Sequence, residues 1–308
     1  MIVTVTLNPM LDKTVAVSGI AIGRITRAES VSMIVGGKGV NVSRQLFHLG
    51  TRSLATGFLG GEIGDLLERL LTAEGLTHRF IRVAGMTREG VTYRHADGTM
   101  TCVFEPPHRV TDAEAEALVA FCARSVRKGD RVVCCGSSPC SEADAVYAEV
   151  LRNARKAGAE TVLDAYGQVF RAALATVPDF IKLNREECEQ AHGVRLGAEE
   201  DICGALDRFL SAGVRCAVVT DGPRTVYAAA AGKRWKISPP AVRAVNPTGS
   251  GDSMLAAMLH GREAGWPVEE TLRFGVAAGT VNAGRWELAC GSLTEIHSLV
   301  PHVHLEEI

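Results

Sequence analysis

Thr111-Asp-Ala-Glu-Ala-Glu-Ala-Leu-Val-Ala-Phe-Cys-Ala-Arg-Ser-Val-Arg127 is followed after a short break by Arg131-Val-Val-Cys-Cys135, and this succession decides the fold. Thr111 with Glu114 three residues on is a capping box, so a helix is predicted from 111 to 127. The apolar run 131–135 has the pattern of a strand buried on both faces. The rhythm repeats downstream. Ser141 is predicted to cap a helix that stops at Gly158, followed by strands at 160–163 and 180–183, a helix at 198–211 and a strand at 215–220. A β segment at 225–237 then precedes helices starting near Gly251 and Pro267. Upstream, a strand at 2–7 closes at Asn8-Pro9, and helices at 39–49 and 64–74 end before Gly50 and Gly75, with a strand at 53–59 between them. Strands alternating with helices predict an α/β fold, a doubly wound and mostly parallel sheet with helices on both faces.

Two regions break this pattern. Residues 11–35 hold short β-prone pieces interrupted by Gly19 and Gly23, and residues 79–105 hold three more at 79–83, 91–95 and 100–104. Without helices to cover them they are expected to form a small separate sheet, a β lid inserted near 11–35 and 79–110 into one domain spanning 1–308. A thin sheet must bury its apolar face, against the site or against a second subunit, so a homodimer through the lid is expected.

Composition narrows the partners. Of 308 residues, 46% are hydrophobic and 22% charged, which is enough apolar material for a full core. A formal net charge of −2 gives no basic surplus for nucleic acid. The nine cysteines form no CxxC pair and no zinc spacing, and several sit in apolar runs, as expected of a reducing compartment. The start Met1-Ile-Val-Thr-Val-Thr-Leu7 alternates like a strand rather than a signal peptide, and no run is long enough to span a membrane. A cytoplasmic location is expected.

The strongest chemical signal is Val245-Asn-Pro-Thr-Gly-Ser-Gly-Asp-Ser-Met-Leu-Ala-Ala-Met258. A glycine bend leads directly into a helix, so the N–H groups of Gly249, Ser250, Gly251 and Asp252 would form an anion cradle at the helix N-terminus. A carboxylate at its edge is what phosphoryl transfer asks of a base near the acceptor hydroxyl. By residue type alone, the run is equally a glycine turn with Asp252 as a helix cap. A second run, Gly36-Gly-Lys-Gly-Val-Asn41, also opens a helix and adds the charge of Lys38. Neither run matches GxxxxGK[ST] or the dinucleotide fingerprint.

With both runs in this order, the sequence resembles the PfkB-type, ribokinase-like carbohydrate kinases over essentially its whole length. Thr6-Leu-Asn-Pro-Met-Leu-Asp12 and the lysine in the first run resemble the branch of 1-phosphofructokinase and tagatose-6-phosphate kinase. The resemblance implies an ATP- and Mg²⁺-dependent enzyme with Asp252 as the base and Gly249, Ser250, Gly251 and Asp252 as the anion hole. It places Asp12 and the Gly36–Gly37 backbone on the sugar, and Lys38, Asn41, Arg88 and Ser137 around a phosphate already on the substrate. Lys182, Asn184, Thr220 and Gly222 would serve the nucleotide and Asn282 its adenine. Asn184 and Glu187 would order Mg²⁺ through water, although Asn followed three residues later by Glu is also an ordinary helix start. Arg24 and Arg27 would lie in the lid, reaching toward a neighbouring subunit.

Lys38 and Arg88 together argue for a phosphorylated substrate, because a phosphate monoester calls for cationic, multidentate donors. The expected substrate is a ketohexose phosphate, fructose 1-phosphate first, with tagatose 6-phosphate or fructose 6-phosphate next. The alternatives are an unphosphorylated sugar or nucleoside, or a non-catalytic binding regulator. The chain departs from the branch at Glu89-Gly90, at Phe104-Glu-Pro-Pro-His-Arg-Val110, at Ser138 and Cys140, at Asp164-Ala-Tyr-Gly167, at Leu183 and at Asp221. These departures fall around the transfer centre rather than in it. His302 and His304 are expected to share a face of a terminal strand.

Overall fold

The computed structural model describes all 308 residues. In chain order, strand β1 (Ile2–Thr6) leads into β2 (Met10–Val17) and β3 (Ser30–Gly36), then helix α1 (Lys38–His48), β4 (Ser53–Gly60), α2 (Gly61–Ala73) and β5 (Ile81–Val83). Next come β6 (Arg88–His95), β7 (Met100–Phe104), α3 (Asp112–Ser125), β8 (Arg131–Gly136), α4 (Val146–Lys156), β9 (Glu160–Ala165) and α5 (Gln168–Leu174). The second half adds β10 (Phe180–Asn184), α6 (Arg185–His192), α7 (Glu199–Ser211), β11 (Cys216–Asp221), β12 (Thr225–Ala230) and β13 (Lys233–Ser238). It closes with α8 (Ser250–Glu263), α9 (Val268–Ala283), α10 (Leu293–Leu299) and β14 (His304–Glu307).

Ten strands form the main sheet in the order β14-β13-β12-β11-β10-β9-β8-β1-β4-β5. The seven from β5 to β11 are parallel, and β12 to β14 close one edge antiparallel. This is the mostly parallel α/β sheet that the alternation predicted, and the arrangement is the ribokinase-like one that the resemblance implied. Successive residues of the central strands feed opposite cores. Val3, Val5, Val132, Cys134 and Leu163 pack on one face, and Ile2, Val133, Cys135 and Val162 on the other. All nine cysteines are free. Cys134 and Cys135 are fully buried among apolar groups, which pushes their thiols well above the usual range. No helix is long and apolar enough to cross a membrane.

The four remaining strands make a second sheet, β3-β2-β6-β7. Its register puts Met33, Lys13, Val91 and Val103 in one row and Val31, Val15 and Tyr93 in the next, on the same face. Val31, Met33 and Val103 are exposed there. The opposite face, with Asp12, Thr14, Thr92 and Phe104, overhangs the body of the protein and lines a cavity of about 620 Å³ together with Trp286 and Leu288.

Several local expectations change. Ser141 starts a short 3-10 turn (Ser141–Ala143), and the helix begins only at Val146 with no side-chain cap. His302 lies in another 3-10 turn while His304 opens β14, so the two do not share a strand face. Helices α5, α6 and α10 have seven or eight residues, too few to display a period.

The centre of the sheet is fastened where it approaches the functional edge. The buried Tyr147 hydroxyl accepts the Leu7 N–H and shares its single proton between the carbonyls of Cys135 and, at longer range, Val5, tying the ends of β1 and β8 together. Tyr147→Phe leaves these groups short of a partner. We expect a loss of about 1–2 kcal/mol, read as a lower denaturation midpoint at unchanged slope.

Candidate active site

The carboxyl ends of the parallel strands β8, β9 and β10 meet the amino ends of α1, α6 and α8, the usual place for a site in such a sheet. At the bottom lies Asp164, the fifth residue of β9, with no solvent exposure. Its Oδ1 accepts from Lys38 Nζ at 2.8 Å and its Oδ2 from Lys182 Nζ at 2.8 Å. Burial works against this charge, but Lys182 and Lys38 outweigh it and hold the carboxyl below its ordinary value. Lys38, the first residue of α1, also donates to Glu187 Oε1 at 2.7 Å. Burial opposes its charge too, yet Asp164, Glu187 and Asp252 together raise its pKa.

Asp252 sits above this pair in the first turn of α8, 6% exposed. Gly249, left-handed at φ 74°, turns the chain into that helix, and no side chain caps it. The Ser250 N–H is taken by the Pro247 carbonyl at 3.2 Å, so the cradle rests on the neighbouring N–H groups rather than on all four. A Cβ on Gly251 would lie 2.8 Å from Lys182 Nζ. The position is therefore a glycine because a buried ammonium lies beneath it.

Asp252 is held from the side by a chain of polar contacts. Asn41 Nδ2 donates to Asp252 Oδ2 at 2.8 Å, and Arg44 donates to Asn41 Oδ1 at 2.8 Å. Arg44 is itself anchored on Glu74 at 2.6 Å and on the Val35 carbonyl. Asn41 is thereby locked with its amide nitrogen toward the carboxylate. An anion cradle, an oriented buried carboxylate and two cations, Lys182 buried and Lys38 partly exposed, together can accept a proton and stabilise a migrating phosphoryl group.

Residues 6–289 match the family model described as pfkB family carbohydrate kinase. The chain belongs to that family. It is a carbohydrate kinase, of a family that uses ATP as phosphate donor. It is 29% identical to a tagatose-6-phosphate kinase of Staphylococcus epidermidis over 286 residues, 92% of each chain. Among solved structures it resembles phosphofructokinase-2 from Escherichia coli, with TM-score 0.92 at 26% identity over 98% of each chain. It also resembles a possible 1-phosphofructokinase from Thermotoga maritima, with TM-score 0.90 at 26% identity, covering 100% of this chain and 99% of that one.

Within this kinase fold, the other expected residues divide into three groups. Asp12 lies on β2 facing Gly36, where a Cβ would sit 3.2 Å from the Asp12 Cβ. Burial raises its pKa against the opposing charge of Arg44. Gly37 holds φ 129° with Thr6 pressed against it. Arg88 opens β6, half-buried, with its Nε unpaired. Ser137 accepts from Asn8 Nδ2 at 3.4 Å.

Of the residues expected at the nucleotide, Asn184, Thr220 and Gly222 line a wholly polar cleft of about 510 Å³ with Arg185, Asp221 and Arg224. Asp221 does not stand there as a bare charge. Its hydrogen bond to Arg224 at 2.6 Å, with Arg185 at 3.3 Å, holds it below its ordinary pKa. Asn184 and Glu187 form the capping box of α6. Arg24 and Arg27 lie exposed in the loop between β2 and β3.

Two residues are placed differently from expectation. Asn282 is fully buried and fully used: Nδ2 donates to the Thr248 carbonyl and Ser250 Oγ, and Oδ1 accepts from Ala289 N–H and Ser253 Oγ. It braces the glycine bend and has no group left for an adenine. Lys182 lies under the anion cradle at 3% exposure, not in the nucleotide cleft. Sequence reasoning also passed over Asp164, Arg44 and Glu74 as site residues. A carboxylate at the end of a buried strand was a signal for Asp164, whereas nothing local marks Arg44 or Glu74.

The charges explain the base. Two ammonium groups, Lys38 and Lys182, face three carboxylates, Asp164, Glu187 and Asp252, so full ionisation leaves a negative excess. Burial first, then repulsion from Asp164, raises Asp252 to about 6, against Lys38, Lys182 and the Asn41 hydrogen bond. Ionised Asp252 thus costs the folded state stability fully above about pH 6, and this cost disappears as pH falls toward the unfolded value of 3.8. Asp252→Asn keeps an acceptor for Asn41 and removes the charge. We expect turnover to fall by roughly 10²–10⁴ while melting temperature at pH 7.5 rises, a gain that vanishes at pH 4.

Proposed function

We propose that this kinase transfers the γ-phosphoryl group of ATP to a ketohexose phosphate, most simply fructose 1-phosphate to give fructose 1,6-bisphosphate. The near alternatives are tagatose 6-phosphate, the substrate in the name of the Staphylococcus relative, and fructose 6-phosphate. The observation that carries this reading is Arg88. It is a half-buried guanidinium at the root of the lid with no carboxylate partner, whereas Arg44, Arg185 and Arg224 are each paired with a carboxylate. An unpaired fork held out of water beside a sugar site suits a phosphate monoester. The third N–H of the Lys38 ammonium and the Ser137 hydroxyl support the same position.

In the reaction, Asp12 and the Gly36–Gly37 backbone hold sugar hydroxyls, and the lid excludes water. Asp252 takes the acceptor proton as that oxygen bonds to the γ-phosphorus and the bond to the β-phosphate oxygen breaks, releasing ADP. Lys182 and the N–H groups of Gly251 and Asp252 meet the charge on the moving phosphoryl group.

No group of three or more His, Cys, Asp or Glu side chains is arranged to grip a metal ion. Glu187 shares its oxygens with Lys38 and the Asn184 N–H, so Asn184 and Glu187 fit Mg²⁺ held through water and nucleotide phosphates rather than in a protein cage. When bound, the ion neutralises charge on the nucleotide.

The exposed row of Val31, Met33 and Val103 on the outer face of the lid supports a homodimer joined there. Sedimentation at micromolar concentration should give a dimer, and Met33→Glu a monomer; a wild-type monomer would refute the assembly. A sugar-phosphate panel with ADP release as readout checks the reaction. Arg88→Ala should raise KM for the preferred substrate about tenfold or more while leaving KM for ATP nearly unchanged. Equal loss on phosphorylated and unphosphorylated sugars would rule out Arg88 as the phosphate ligand.

A further inference from the structure

His108 belongs to the segment between β7 and α3 where the chain departs from its branch. It is 5% exposed, and neither ring nitrogen has a hydrogen-bond partner. The charged groups that bear on it are Arg88 and Glu114. Glu114 is already committed, accepting from the Ala84 and Thr111 N–H groups and from the Thr111 hydroxyl. Burial, and after it the charge of Arg88, hold the imidazole down at about 4. At neutral pH the ring therefore carries one N–H and one bare lone pair.

Arg88 presents the complement. Its Nε–H is buried and has no acceptor. Both residues sit at the roots of the lid, Arg88 opening β6 and His108 following β7. The Glu105 N–H donates to the Glu89 carbonyl at 3.0 Å, and the Glu89 N–H donates to Glu105 Oε2 at 2.8 Å, which keeps the two segments in register. A buried donor without an acceptor thus lies within electrostatic reach of a buried acceptor without a donor. Each is costly to leave unmade.

We propose that His108 is a positioning residue for the substrate phosphate: its unprotonated ring nitrogen accepts the Arg88 Nε–H as the lid closes, fixing the guanidinium with its terminal NH₂ groups toward the phosphate. The inference rests on the reading of Arg88 as the phosphate ligand. An arginine whose Nε is held by a neutral acceptor keeps its full charge and its fork for the ligand, which a carboxylate partner would partly cancel. His108 itself does not touch substrate.

The test compares His108→Phe, which keeps a ring without an acceptor, with His108→Gln, which restores one, using inorganic phosphate as the binding probe alongside the preferred sugar phosphate. His108→Phe is expected to raise the phosphate Kd and the sugar-phosphate KM about tenfold, with kcat and the ATP KM within about twofold of wild type. His108→Gln should recover most of the loss, and His108→Phe should add nothing in an Arg88→Ala background. Should the phenylalanine variant not fold, His108→Ala with added imidazole restoring phosphate binding replaces it. Unchanged phosphate affinity in His108→Phe, or the same loss with and without Arg88, overturns the role of His108 and leaves the Arg88 reading standing. Unchanged affinity in Arg88→Ala overturns both.

Discussion

The site depends on a carboxylate that never meets water. Asp164 holds Lys38 with one oxygen and Lys182 with the other, and these two contacts fix the amino end of α1 and the side chain that emerges from β10 against the end of β9. A buried charge of this kind is tolerated only because both of its oxygens are paired. The same arrangement places the Lys182 ammonium under Gly251, so the floor of the anion cradle is positively charged before any ligand arrives. It also bears on Asp252, whose pKa is raised first by burial and then by repulsion from Asp164, against the attraction of both lysines. Packing of the strands and the charge state of Asp252 are therefore linked.

The fold was legible from the sequence because its signals are local. The capping box at Thr111, the buried run 131–135 and the glycines that close helices each act within a few residues, and together they allow little but a parallel sheet. The two glycine-rich runs were legible for the same reason. Partnerships were not. Lys38 and Asp164 are 126 positions apart and Asn41 and Asp252 are 211 apart, so no pattern on either strand or helix announces them. Lys38, expected at the substrate phosphate, spends two of its three N–H groups on carboxylates. Asn282 was expected at an adenine because the family resemblance implies it there, yet its polar groups serve the glycine bend.

The lid adds constraints that only the folded chain reveals. Arg94, at the far end of β6, stacks over the Trp286 ring at 4.6 Å, and the Trp286 carbonyl accepts from Asn246 in the glycine-rich run at 3.2 Å. The outer edge of the lid is thus linked through one residue to the loop that carries the base. Its inner edge is rooted at Met10, Gly36 and Arg88, beside the sugar face. The lid and the glycine-rich run are therefore coupled by direct contacts rather than independent.

The departures from the branch acquire a common logic once their partners are known. Asp221 brings a charge into the nucleotide cleft, and Arg185 and Arg224 cancel it locally. Tyr166 places a ring 5.3 Å from the Lys38 ammonium, compatible with the cation it accompanies. Both of these changes find partners close by, while Asp164, Lys182 and Asp252 keep the pairings described above. A centre whose charges are buried and mutually dependent resists substitution, because altering one member leaves the others unpaired. The half-exposed rim has water as an alternative partner and can vary one residue at a time. The locked charge network and the half-exposed walls around it thereby answer to different constraints, the first to mutual pairing and the second to exchange with water.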